Sequence, residues 1–216
     1  MIHILSHKKT LMNLFISELR DKEIQKDSMR FRRNMERIGE MFAYEIGKEL
    51  EYKEKKITTP LGISKMIVPV SPIVNATILR AGLPFHQGFL NYFDNAENAF
   101  ISAHRKYHKD GSFSIQFEHL SSPSIDKKIL ILSDPMLASG ASMEIAYKAL
   151  LERGEPKHTH IVTIIGSNQG INYVKKHIPM ENVTIWAGDV DDELTSKSYI
   201  VPGLGDAGDL AFGSKI

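Results

Sequence analysis

The chain has 216 residues, 42% hydrophobic and 25% charged; these ordinary globular values exclude disorder by composition and fit one α/β domain with accessory elements. Its 27 Lys and Arg nearly cancel its 26 Asp and Glu, leaving +1, so no global field draws it to nucleic acid or to an acidic membrane. The absence of cysteine excludes a disulfide framework, a thiolate nucleophile and a zinc site built on sulfur. MIHILSHKKT places its lysines after a very short apolar stretch, the wrong order for a secretory signal. The weakly polar run Ile67 to Leu79, broken by Pro69, Pro72 and Asn75, is too short to span a bilayer. A cytoplasmic protein is expected.

Thr10 to Arg20 reads as a short helix. Phe31, Met35, Ile38, Phe42 and Ile46 recur at steps of three to four residues and predict one apolar face of a long helix beginning near Ser28. Ile57 to Pro72 carries Pro60, Pro69 and Pro72, which predicts an irregular hairpin, a flap beside the main sheet. From Ile73 the rhythm changes. IVNATIL, Pro84 to Phe93, NAFISAH, ILILS, Ser142 to Arg153, HIVTIIG, Asn168 to His177 and VTIWAG alternate apolar runs with helical stretches. That is the pattern of crossover units around a parallel sheet. Between NAFISAH and ILILS, Asp110 and Gly111 separate two alternating segments and predict a projecting β-hairpin.

The strongest local feature is SDPMLASGAS, Ser133 to Ser142, where a buried strand stops at a proline and continues through small residues into a helix. Small residues let backbone amides approach an anion, and the unpaired N–H groups at a helix N-terminus stabilise a phosphate. Ser139 and Ser142 add hydroxyl donors. Asp134 stands at the carboxyl end of the strand, where ligands bind in open α/β sheets, in reach of ribose hydroxyls. The competing reading is that Asp134 and Ser142 merely cap a helix. In ILRAGL, Arg80 and Gly82 end a strand, and an arginine there grips a phosphate with its planar fork or makes a structural ion pair. YIVPGLGDAGD, Tyr199 to Asp209, contains GxGxxG, but too little chain follows for a dinucleotide unit; its glycines free the backbone to wrap a flat ligand or form a C-terminal turn. His104 with His108, and His158 with His160, lack a third convergent ligand and read as solvated or capping residues. The acidic run Asp189 to Glu193 reads as a solvated loop, and Trp186 as core or rim packing.

Together, ILRAGL, SDPMLASGAS and YIVPGLGDAGD resemble the uracil phosphoribosyltransferases in residues, order and approximate spacing, more weakly upstream through RFRRNMERIGEMFAYE. The resemblance implies a type I phosphoribosyltransferase fold: a central, mainly parallel sheet flanked by helices, with a small hood to which the N-terminal helices and the C-terminal segment contribute, in one domain spanning 1–216. It implies transfer of a phosphoribosyl group from 5-phosphoribosyl 1-pyrophosphate to uracil, giving UMP. Asp134, Pro135, Met136, Leu137, Ala138, Ser139, Gly140, Ala141 and Ser142 would then bind the ribose 5-phosphate, Asp134 facing the ribose hydroxyls. Arg80 would hold the pyrophosphate, with Lys106 or its neighbour Arg105 as a second cation. Ile200, Gly205, Asp206 and Ala207 would read the uracil edge, Tyr199 would stack on the base, and Asp206 would also lie near the pyrophosphate. Asp134, Arg80 and Asp206 are the expected catalytic residues. Mg²⁺ is expected to arrive with the pyrophosphate and not in a protein cage; GTP is raised as an effector, and a homodimer or homotetramer is expected. The chain departs from the family pattern at Ser139, Gly140 and Ala141, where members carry Thr-Gly-Gly, at Leu210, where a basic residue is usual, and at Pro84 to Gly88. If position 141 requires φ above zero, its side chain costs about 1 kcal/mol.

Overall fold

The computed structural model describes residues 1–107 and 113–214; the side chains of residues 103–117 lie outside the described set. The chain opens with β1 (Ile2–Ile4), a short strand to which the sequence reading assigned no element, followed by α1 (Leu11–Arg20) and α2 (Ser28–Gly47). The Asp27 carboxylate accepts from the N–H groups of Met29 and Arg30, both at 3.0 Å, and so starts α2 where the apolar spacing places it. Phe31, Met35, Ile38, Phe42 and Ile46 are all buried along its inner face.

β2 (Tyr52–Thr59) and β3 (Gly62–Pro69) pair as a two-stranded sheet of their own. The expectation of irregularity is corrected here: the register runs unbroken from Tyr52 opposite Pro69 to Thr59 opposite Gly62. Pro60 falls in the turn and Pro69 at the end of the strand, where a missing N–H disturbs little of the ladder.

The alternating half of the chain supplies β4 (Ile73–Leu79), α3 (Gly82–Leu90), β5 (Glu97–Tyr107), β6 (Phe113–Ser121), β7 (Ile129–Ser133) and β8 (Met136–Leu137). It continues with α4 (Ala141–Leu151), β9 (His158–Ser167), α5 (Asn168–His177), β10 (Val183–Asp191), β11 (Glu193–Leu194), β12 (Ile200–Val201) and α6 (Ala207–Phe212). The main sheet has the order β1-β10-β9-β7-β4-β5-β6, with β8 paired to β9. Every pairing in it is parallel except β5 with β6. The predicted turn at Asp110 and Gly111 lies outside the described residues. α3 begins at Gly82, two residues before the predicted start, because Pro84 fits the first helical turn, where its missing N–H forfeits no helical bond.

Alternate residues of the sheet serve two cores. Ile131, Val162 and Trp186 pack with α1, α2, α3 and the C-terminal residues Ile200, Leu204, Ala207 and Ala211. Leu130, Leu132 and Ile161 pack on the other face with Met143, Tyr147 and Leu150 of α4 and Ile171 and Val174 of α5. Burial on both faces explains why ILILS is apolar at nearly every position. No described helix is long and apolar enough to cross a membrane.

At the opposite edge from the carboxyl ends, Trp186 Nε1 donates to His160 Nδ1 at 3.0 Å, and His3 stacks on Trp186 with ring centroids 4.3 Å apart. Burial, helped by neighbouring His158 and His3, pushes the His160 pKa down to about 3. The folded state thus keeps this imidazole neutral while the unfolded chain takes up a proton near pH 6.5, the ordinary histidine value. Its stabilising contribution is complete above that value and is lost as pH falls toward 3. Urea unfolding followed between pH 7 and 4 is expected to show this loss, at most about 1.4 kcal/mol per pH unit, and His160→Gln is expected to flatten the dependence.

Candidate active site

The phosphate-loop candidate leaves the sheet at Ser133, whose Oγ donates to the Ala76 carbonyl and whose carbonyl accepts from Thr77 Oγ1, both at 3.2 Å. These bonds lock the ends of β7 and β4 side by side. The Asp134 N–H donates to the Val162 carbonyl at 3.0 Å, and its half-buried carboxylate faces the Met136 N–H at 3.4 Å. The Leu137 N–H donates to Thr163 Oγ1 at 3.1 Å. Ser167 both caps α5, accepting from the Gly170 N–H at 2.8 Å, and donates to the Ala138 carbonyl at 2.6 Å. The loop is therefore sewn to the carboxyl end of β9 before it reaches its helix, a form of rigidity that preorganised anion sites require.

Gly140 is the residue before α4; it has φ 86° and no side chain caps the helix. A Cβ at Gly140 would lie 2.8 Å from the Gly170 carbonyl oxygen and 2.9 Å from the Tyr173 ring. Two expectations change. The N-cap position of α4 is Gly140, not Asp134 or Ser142. Ala141 opens the helix and is not among the residues of positive φ, so the left-handed position falls on Gly140 and the alanine is unstrained. Glu144, the acid in the first turn, is engaged by Lys148 and by the Tyr173 hydroxyl, both at 2.6 Å; these bonds hold its carboxyl below the ordinary range. The N-terminus of α4, with Ser139 and Ser142 on either side of its N-cap, is the kind of helix end whose N–H groups favour an anion.

Arg80 follows β4 through a cis Leu79–Arg80 peptide. Its Nη2 donates to Asp209 Oδ1 at 2.9 Å and to the Gly213 carbonyl at 2.6 Å, while its buried Nε has no partner among the described residues. Gly208 packs on this side chain: a Cβ there would be 3.6 Å from Nε and 3.2 Å from Asp206 Oδ1. Asp206 caps α6, its Oδ1 accepting from the Asp209 N–H at 3.0 Å. Tertiary structure thus joins ILRAGL to GLGDAGD. Asp209 as the Arg80 partner was missed, since no spacing in the sequence links residues so far apart. The side chains of Arg105 and Lys106 lie outside the described residues.

The C-terminal loop is held from below. β12 pairs with β11, Ile200 is buried and Tyr199 is exposed with its N–H donating to Thr195 Oγ1 at 3.1 Å. The acidic run is corrected: Asp189 and Asp191 end β10 and bind Arg20 Nη2 and Nη1, both at 2.8 Å, with Asp191 buried. Burial raises the Asp189 pKa, but hydrogen bonds from Ser6 and Arg20 outweigh it and keep the carboxyl low. The signal available in the sequence was period two: Asp189 and Asp191 share one face if the strand VTIWAG is extended.

Among the described residues no group of three or more His, Asp or Glu forms a metal cage. Asp206 offers a half-buried carboxylate beside Arg80, a donor set suited to Mg²⁺ that keeps water and substrate oxygens as its other ligands.

The model of the family described as "Uracil phosphoribosyltransferase" matches residues 6–214. Relatives named uracil phosphoribosyltransferase include one from Porphyromonas gingivalis, 55% identical over 98% of this chain and 98% of its own length. Another, from Pyrococcus furiosus, is 35% identical over 93% of this chain and 85% of its own. Among solved structures, the AQ2163 protein from Aquifex aeolicus superimposes over 100% of both chains with TM-score 0.88 at 29% identity. A hypoxanthine phosphoribosyltransferase from Staphylococcus aureus superimposes over 76% of each chain with TM-score 0.50 at 16% identity, a likeness of fold alone. The fold is the type I phosphoribosyltransferase fold, and the chain belongs to the uracil phosphoribosyltransferase family.

Proposed function

We propose that the carboxyl edge of the sheet grips phosphoribosyl pyrophosphate at both ends and presents its anomeric carbon to a base read by the C-terminal loop. The chain transfers the phosphoribosyl group of 5-phosphoribosyl 1-pyrophosphate to uracil, giving UMP and pyrophosphate, a pentosyl transfer of pyrimidine salvage. The observation that carries this reading is the convergence on one sheet edge of the α4 N-terminus behind Gly140 with Arg80, whose buried Nε has no partner among the described residues.

In this reading the backbone of residues 135–142, with the Ser139 and Ser142 hydroxyls, holds the 5-phosphate, and the Asp134 carboxylate accepts from the ribose hydroxyls. Arg80, with Arg105 or Lys106, holds the pyrophosphate. The backbone at Ile200 and at Gly205 to Ala207 pairs with the uracil edge, and Tyr199 covers the ring. N1 of uracil displaces pyrophosphate as the anomeric centre becomes oxocarbenium-like, so the protein's task is alignment and accommodation of the leaving charge. Asp206 would help hold Mg²⁺ arriving with the pyrophosphate, and that ion would supply further neutralisation of the leaving charge.

The N-terminal helices and the C-terminal segment form the hood of a single domain, working in the cytoplasm. Leu61, Ile63 and Ile67 stand exposed on the β2–β3 hairpin, an apolar face that a second copy of the chain covers in a homodimer or homotetramer; light scattering decides between these states. GTP as an effector rests on resemblance alone.

The deciding experiment identifies the product formed from uracil, phosphoribosyl pyrophosphate and Mg²⁺, with and without GTP. UMP is expected; turnover of orotate or hypoxanthine in place of uracil would sink the reading.

A further inference from the structure

Between Tyr199 and Asp209 the only regular structure is the two-residue β12 and the beginning of the six-residue α6. A segment with so few ladder bonds needs its shape imposed from outside if it is to read a base by its backbone. The imposing groups are far away in sequence. Asp191 Oδ2 accepts from the Gly203 N–H at 2.9 Å, and Arg20 Nη1 donates to the Gly203 carbonyl at 2.9 Å. Arg20 also spans both oxygens of Asp191, Nη1 to Oδ2 and Nη2 to Oδ1, each at 2.8 Å. Its Nη2 reaches Asp189 Oδ2 at 2.8 Å, and Ser6 Oγ donates to the other Asp189 oxygen at 2.9 Å.

We propose that Arg20 and Asp191 are positioning residues for uracil recognition: by gripping both the N–H and the carbonyl of Gly203 they set the backbone of Ile200 and of Gly205 to Ala207. The proposal rests on the assignment of that backbone to the base. Gly203 has φ 57°, and a Cβ there would overlap the Ile200 carbonyl oxygen, so the gripped peptide and the base-reading residue are in direct contact. On the other side, Gln25 donates from Nε2 to the Arg20 carbonyl at 3.1 Å, and its Oε1 lies 4.0 Å from where a Gly205 Cβ would stand. The grip needs a planar fork that serves two acceptors at once, which a lysine cannot reproduce.

The phosphate end has separate supports. The loop from Asp134 is tied to Val162, Thr163 and Ser167, residues of β9 far from the gripped peptide in the chain. Damage to the Arg20 grip should therefore weaken the base more than the sugar phosphate.

The test uses the full chain with Arg20→Lys, Asp191→Asn and Gly203→Ala, the last leaving the ion pair intact. The KM for uracil is expected to rise roughly 10- to 100-fold, the scale of a displacement near 1 Å, while kcat changes less. Calorimetric affinity for phosphoribosyl pyrophosphate with Mg²⁺ should change less than the uracil KM, and the melting temperature of Arg20→Lys should hold. Wild-type turnover of uracil is measured first: a wild type that does not use uracil overturns the base assignment and the proposal with it. With an active wild type, an unchanged uracil KM in the folded variants, or equal losses for uracil and phosphoribosyl pyrophosphate, overturns the grip alone. If Asp191→Asn does not fold, Arg20→Lys and Gly203→Ala decide by the same criteria.

Discussion

Asp134→Asn is expected to lower kcat/KM for phosphoribosyl pyrophosphate by roughly 10- to 150-fold without unfolding the protein. The carboxylate is half-buried at the end of β7, its own N–H is secured to Val162, and its Oδ1 lies 3.4 Å from the Met136 N–H; in the proposed complex the ribose hydroxyls donate to it. A hydrogen bond to an ionised acceptor contributes about 1.5–3 kcal/mol, which sets the scale of the loss when the charge is removed and the shape kept. Since the N-cap position of α4 is Gly140 and asparagine keeps the shape of aspartate, circular dichroism and the melting temperature should stay close to wild type. Steady-state kinetics that match wild type would remove Asp134 from the mechanism; a collapse in stability would assign it to the fold.

Gly140→Ala is expected to do more damage than its single methyl suggests, with kcat/KM for phosphoribosyl pyrophosphate falling at least roughly 100-fold. Two costs coincide. The left-handed backbone costs a side chain on the order of 1 kcal/mol, and the new Cβ, 2.8 Å from the Gly170 carbonyl oxygen, must push the loop away from α5. Displacing the amides proposed to face the phosphate by about 1 Å would forfeit alignment as well as binding. Ala141→Gly is the matched control: in the first turn of α4 it should leave phosphoribosyl pyrophosphate affinity intact and lower stability by no more than about 1 kcal/mol. Calorimetry and thermal melts on both variants separate the two positions; equal behaviour would contradict the placement of the left-handed residue at 140.

Much of the molecule was legible in the chain because its signals are local. Helix α2 follows from apolar residues at helical spacing and a capping Asp27, and the parallel sheet from apolar runs separated by helical stretches. The phosphate loop follows from a buried strand ending at proline and small residues. Its internal geometry was not legible: the sequence left open whether position 141 takes a positive φ, and the structure puts that backbone at Gly140, where Gly170 and Tyr173 leave no room for a side chain.

By itself the sequence determined the family, through three motifs in order, and the sheet with its loop at the carboxyl edge, because propensity, spacing and small-residue signals act within one or two turns of chain. Tertiary structure alone decided that Arg80 meets Asp209, that Arg20 reaches across to Asp189 and Asp191, and that the Gly203 peptide is gripped at both ends. Those contacts join residues more than 100 positions apart, except the Asp191 bond to Gly203 at a separation of 12. Charge and hydrogen bonding act through distance in space, and an acidic run reads as solvated until folding brings an arginine against it.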